Sequence, residues 1–221
     1  MTSLLLGTYT DHTHLVRFTP PSEASPPSLQ RLKDLDIPRA SWITRHPQHA
    51  DIFYIAHEVD DGGGTIPGIE GKVWVYRITP DGDATQLGEV SAGGNPCHVQ
   101  VVGESIGLAV ASVSRHFLLR LNIQFAAGTA ILIPLNSDGT FRPEGNNNYF
   151  KLPSSEENPS RFHQCVDVPA RGECWIVDTA AGCLRQMVVS DDPVKWEMSG
   201  QVDVLAGNGP RQAVVSDNGE S

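Results

Sequence analysis

Basic residues are scarce in this sequence: 16 Lys and Arg stand against 26 Asp and Glu, for a formal charge of −10. Such a chain has little to lay along a phosphate backbone, which removes the sequence-independent part of nucleic-acid binding. A small anionic ligand stays compatible, but it needs a local cationic pocket working against the overall field. Long apolar runs are missing as well. The longest are strand-sized, too short for a membrane span, and Leu4-Leu5-Leu6 is shorter than a secretory core and has no basic segment before it. Cysteine is limited to Cys97, Cys165, Cys174 and Cys183, with no CxxC pair. That usage reads as reduced, buried thiols of a cytoplasmic protein. Charged residues make up only 19% of a chain that carries 21 Gly and 16 Pro, which argues against a coiled coil or helical bundle.

Motifs of cofactor chemistry are absent too. There is no Walker-type or dinucleotide glycine pattern, and Ser154-Ser155 lacks the surroundings of a nucleophile elbow. The pairs His12/His14 and His46/His49 lie in polar loops without a third ligand, so no metal is expected. Asp60-Asp61-Gly62-Gly63-Gly64 does not alternate ligands as a calcium loop does and reads as a flexible hairpin loop. No cofactor is expected.

Strand signals fill the chain. Val73-Trp74-Val75-Tyr76-Arg77-Ile78 is β-branched and aromatic, closes at Pro80-Asp81-Gly82 and returns toward Val90, a hairpin by its turn chemistry. The pattern repeats at Thr129 to Leu135, then Ser137-Asp138-Gly139, then Thr140-Phe141. Ile52 to Ala56, Gly107 to Ala111 and Cys174 to Val177 are further strand-like runs. Short strands with regularly spaced turns predict an all-β sandwich, barrel or propeller.

The period chooses among these. Pro38 to Thr44, Asn95 to Val101, Pro159 to Val166 and Gly209 to Val215 are each a Pro-containing loop entering a strand. Taking Trp42, His98, His163 and Gln212 as equivalent gives intervals of 56, 65 and 49 residues. A repeat of about fifty residues with four short strands is the mark of a propeller. The long interval contains Val113 to Gln124, which interrupts a strand in mid-run. Residues 113–124 are therefore read as an insertion, either a retained intron in the gene model or an excursion from the blade. The expectation is one domain over 1–221: an all-β propeller of four-stranded antiparallel blades, incomplete at about four to five of seven.

The residues resemble a known family, the lactonase-type seven-bladed β-propellers, which includes 6-phosphogluconolactonases and the fungal carboxy-cis,cis-muconate cyclase. The resemblance rests on Gly7-Thr8-Tyr9-Thr10, Ala56-His57-Glu58, Gly71 to Tyr76, Gly94 to Val99, Gly128-Thr129, Asp138-Gly139, Arg161-Phe162-His163, Asp178 and Gly207 to Arg211, in the family's order. Two positions depart from it. Arg161-Phe162-His163 replaces the first histidine of the family's Pro-His-x-His, and Gly209-Pro210-Arg211-Gln212 replaces the histidine of Gly-Pro-Arg-His. Seven blades need roughly 350 residues, so the resemblance implies a truncated ring. The cyclase's proposed catalytic glutamate and a later arginine would lie beyond Ser221.

Loops entering the inner strands of a propeller converge on one end of its channel. By resemblance, His163 is the acid/base residue, Arg211 clamps substrate or oxyanion, and His98 and Arg161 bind or orient the substrate. Histidine titrates near neutrality, and arginine offers a permanent planar fork for carboxylate or phosphate. The implied function is hydrolysis of an anionic sugar lactone such as 6-phosphogluconolactone. The alternatives are cycloisomerisation of a muconate-type diacid, or a non-catalytic remnant that acts as a binding scaffold. Glu58 matches a strand-end glutamate frequent in the family, and Asp178 reads as capping its own turn. The implied partner is a small anionic lactone or carboxylate, with no nucleic acid or membrane. An open ring would also expose blade edges to self-association.

Overall fold

The structure, a computed structural model, describes residues 2–58, 71–92, 95–103, 107–113, 128–143, 148–152, 160–191, 194–204 and 209–216. Among the described residues, fifteen strands form four antiparallel sheets, each built from strands consecutive in sequence. The first contains β1 (Thr2–Leu6), β2 (Thr13–Thr19) and β3 (Ser28–Leu35); the second β4 (Ala40–Arg45), β5 (Ile52–His57), β6 (Lys72–Ile78) and β7 (Ala84–Ser91). The third contains β8 (Pro96–Val102), β9 (Gly107–Val113), β10 (Gly128–Pro134) and β11 (Asn148–Leu152); the fourth β12 (Phe162–Val168), β13 (Glu173–Asp178), β14 (Cys183–Asp191) and β15 (Val194–Asp203). Among the described residues, no helix is long and apolar enough to cross a membrane.

Period-two alternation explains how the sheets stack. In β6, Val73 and Val75 pack toward the third sheet, while Trp74 and Tyr76 pack toward the first. In β9, Leu108 and Val110 face the second sheet, while Ala109 and Ala111 face the fourth. Successive side chains of a strand point to opposite faces, so a sheet covered on both sides is apolar throughout. All seven residues of β10 are buried for this reason. Three core layers result. Leu15, Leu35 and Ile55 lie in the first, Tyr54, Val99 and Ile131 in the second, and Leu132, Ile176 and Met187 in the third.

The leading strands β4, β8 and β12 are neighbours in space, which sets the sheets as vanes around a common hub. Side chains staple them: Ser41 Oγ donates to Pro96 O and Thr44 Oγ1 to Val99 O, each at 2.7 Å. The first sheet differs from the expected four-stranded blade. Among the described residues it has three strands.

Both expected hairpin turns form, with Gly82 at φ 101° and Gly139 at φ 81°, a region open to glycine at no steric cost. The second turn returns differently from the sequence expectation. Leu135 and Phe141 form only an isolated bridge, and the outer strand is β11, further along. Val113, where the expected insertion starts, ends β9 and pairs with Gly128. The rest of 113–124, the Asp60 to Gly64 loop and Ser154-Ser155 lie outside the described residues.

Candidate active site

Each leading strand carries a register slip at its start. The pairing skips from Ala40 to Trp42 in β4, from Pro96 to His98 in β8, and from Phe162 to Gln164 in β12. The bulged residues are therefore Ser41, Cys97 and His163, and all three line one cavity of about 340 Å³. A bulge leaves one residue unpaired and re-aims its side chain. Here it turns one residue per vane toward the same space.

His163 is half-buried in the wall. Its pKa lies below the ordinary histidine value, first because burial disfavours the imidazolium and then because the Arg211 guanidinium is near. The neutral form is the one that accepts a proton. Arg161 and Arg211 line the same cavity with exposed guanidinium groups. Arg161 precedes β12, and its backbone is clamped: its N–H donates to Asp178 Oδ1 at 2.8 Å, and its carbonyl accepts from Thr179 N–H at 2.9 Å. Arg211 belongs to the segment 209–216, held against β12 by Ala213 N–H donating to Gln164 Oε1 at 2.6 Å.

Asp178 has the structural role its position suggested. Fully buried, it accepts from Ser160 Oγ at 2.7 Å, from the N–H groups of Arg161 and Ala181, and from Arg185 at 3.0 Å. It anchors the loop that presents Arg161 and does not line the cavity.

His98 is not where the sequence placed it. It is only 2% exposed and is absent from the cavity wall. Its Nδ1 accepts the N–H of Cys165 at 3.3 Å, and its ring lies against Trp42 with centroids 4.3 Å apart. Burial, followed by the nearby His163, pushes its pKa down to about 3. The correction has a simple cause. The bulge makes His98 equivalent to Trp42 and Gln164, whereas the equivalents of His163 are Ser41 and Cys97.

Several wall residues had no role assigned from sequence. Trp42 supports the cavity from β4, its indole N–H donating to Thr44 Oγ1 at 3.0 Å. Cys97 lies beside it, its thiol within 3.4 Å of His163 O. Thr179 lines the wall, and its buried hydroxyl has no hydrogen-bond partner among the described residues. Gln212 stands where the resemblance implied histidine, so an amide that cannot titrate lines the wall there. Tyr9 and Glu58 face the cavity together, with the phenol donating to Glu58 Oε2 at 3.1 Å.

No group of three metal-ligating side chains gathers among the described residues. His46 Nδ1 instead accepts the N–H groups of Gln48 and His49, and His12 and His14 pair with Asp36 and Asp34.

Radial sheets whose bulged leading strands aim residues into one cavity define an antiparallel β-propeller architecture. The chain belongs to the lactonase seven-bladed β-propeller family, whose family model matches residues 3–221. No curated protein matches the sequence significantly. Among solved structures, the periplasmic gluconolactonase PpgL of Pseudomonas aeruginosa is similar at 19% identity and TM-score 0.75. A candidate 6-phosphogluconolactonase of Bacteroides fragilis is similar at 16% identity and TM-score 0.73. Each alignment covers 99% of this chain and 59% of the other. Sqt1 of Chaetomium thermophilum is similar at 9% identity and TM-score 0.61, over 94% of this chain and 46% of the other. The chain thus spans about three-fifths of the length of the two lactonase-type structures.

Proposed function

We propose that this chain opens an anionic sugar lactone, such as 6-phosphogluconolactone, by adding water. The observation that carries the reading is the convergence of His163, Arg161 and Arg211 on one cavity. In the reaction, the neutral imidazole of His163 takes a proton from water as the water oxygen bonds to the lactone carbonyl carbon. The carbonyl electron pair moves onto oxygen, where a guanidinium stabilises it. Collapse breaks the ring C–O bond, and His163 returns the proton to the departing alkoxide. The product is the open hydroxy acid. The depressed pKa of His163 suits the first step, because the base form is present at neutral pH. The second guanidinium is available for the ligand's phosphate or carboxylate.

The test is hydrolysis of fresh 6-phosphogluconolactone by the 221-residue chain, measured above the spontaneous rate. The reading expects turnover that His163→Gln lowers by on the order of 10²–10⁴-fold. Turnover unchanged in that variant, or no rate above background, overturns it. Ligand binding without turnover would match the scaffold reading instead.

A further inference from the structure

Two side chains outside the cavity wall make the same kind of bond at successive steps around the hub. His98 and Gln164 each follow a bulged residue, at the position where pairing resumes. His98 Nδ1, on β8, accepts the N–H of Cys165 on β12 at 3.3 Å. Gln164 Oε1, on β12, accepts the N–H of Ala213 at 2.6 Å. The two N–H groups share an offset. Cys165 lies two residues beyond His163 and Ala213 two residues beyond Arg211, and both of those side chains line the cavity.

We infer that His98 and Gln164 are positioning residues, which set where His163 and Arg211 stand in the cavity. The inference rests on the roles proposed for those two groups and deepens that reading. β12 is an edge of its sheet, so N–H groups on its open side have no ladder partner and need an acceptor from elsewhere. His163 is itself the residue that pairing with β13 skips, so the sheet alone does not fix it. Segment 209–216 belongs to none of the described strands, and Gln164 supplies what a ladder would. His98 suits its task. Its ring is buried against Trp42, with centroids 4.3 Å apart, and its low pKa keeps the ring neutral, with Nδ1 a bare acceptor. At the preceding step, from β4 to β8, the links are of another kind: Ser41 and Thr44 donate hydroxyls to carbonyl oxygens of Pro96 and Val99. Among the described residues, side-chain acceptors stand on the two steps that lead to His163 and Arg211. An imidazole nitrogen serves one and an amide oxygen the other, so the requirement is an acceptor at a set reach.

The test follows the His163 ring protons by NMR through a pH titration of the 221-residue chain. Arg211→Gln sets the scale, because that guanidinium helps to hold the midpoint down. Gln164→Leu leaves Ala213 N–H without its acceptor and is expected to raise the midpoint by most of that shift. Gln164→Asn keeps the amide but loses the reach. It should act in the same direction, and it decides the matter if the leucine variant fails to fold. In the Arg211→Gln background, neither change should move the midpoint further. The His98 step is read in turnover of 6-phosphogluconolactone. His98→Leu should lower kcat by on the order of 10–10²-fold with KM little changed, and His98→Gln should restore it. A midpoint that Arg211→Gln moves but the Gln164 variants do not, or a kcat that His98→Leu leaves unchanged, overturns the positioning role and leaves the proposed function standing. If Arg211→Gln itself leaves the midpoint in place, or if the unaltered chain shows no turnover above background, the reading of the site fails, and this inference with it.

Discussion

The fully buried carboxylate of Asp178 accepts the backbone N–H of Arg161 at 2.8 Å. The same side chain pairs with Arg185 at 3.0 Å, so one charge beneath the cavity fixes both the loop in front of β12 and the start of β14. The loop that presents a cationic group to the site is thus held by an anion that never reaches it.

Asp178→Asn should be strongly destabilising, because it leaves the largely buried Arg185 without its counter-charge. Removing one partner of a buried pair costs about 3–5 kcal/mol. Urea denaturation is expected to show this loss, and Arg185→Met in the same chain should recover part of it. Full additivity of the two changes would show that the pair is not coupled.

Stability should fall in acid. His98, with a folded-state pKa of about 3 against an ordinary 6.5, stays neutral in the native protein while the unfolded chain takes up a proton. The unfolded state binds more protons below 6.5, so stability is fully present above that pH and is lost as pH falls toward 3. His46, His57 and His163 are shifted in the same direction, led in each case by burial. Each such group contributes a slope of up to about 1.4 kcal/mol per pH unit. Denaturation midpoints at pH 7, 6, 5 and 4 should decline, less steeply in His98→Gln; a flat profile would contradict the buried neutral histidine.

Arg211→Gln should raise the titration midpoint of His163. After burial, Arg211 is the principal influence holding that midpoint down, and removing the charge relieves it. The ring-proton chemical shift of His163 reports this directly, whether or not a substrate is turned over. A midpoint unchanged by the variant would separate the two residues.

Gly7→Ala should lower the melting temperature. An added Cβ would sit 2.5 Å from the carbonyl oxygen of Ala40, where the residue after β1 meets the start of β4 in the second vane. Backbone cannot yield there as a flexible side chain would, and overpacking of this kind costs about 1–3 kcal/mol. Gly172→Ala is the comparison, because a Cβ there meets nothing within 4 Å and only the positive φ of 64° opposes it. The Gly7 variant is expected to be the less stable of the two in thermal melts.

The all-β class and the repeat were legible because they rest on local rules. β-Branched alternation marks Val73–Ile78, turn chemistry marks Pro80-Asp81-Gly82 and Ser137-Asp138-Gly139, and Pro-containing loops mark where β4, β8 and β12 begin. Arg161, His163 and Arg211 could be placed on such loops from sequence, and the structure brings all three to one cavity. The pairing of Tyr9 with Glu58 could not be placed, because 49 residues separate them and only adjacent vanes unite them.

Tertiary structure decided which neighbour faces the hub. Side chains alternate with period two, so a single extra residue in a strand exchanges inside for outside. The slips at Ser41, Cys97 and His163 do this, turning Cys97 toward the cavity and burying His98 beneath Trp42. Composition and spacing therefore determined that vanes would form and where each would begin. The bulges, which arise only when strands pair across a sheet, determined which side chains the cavity received.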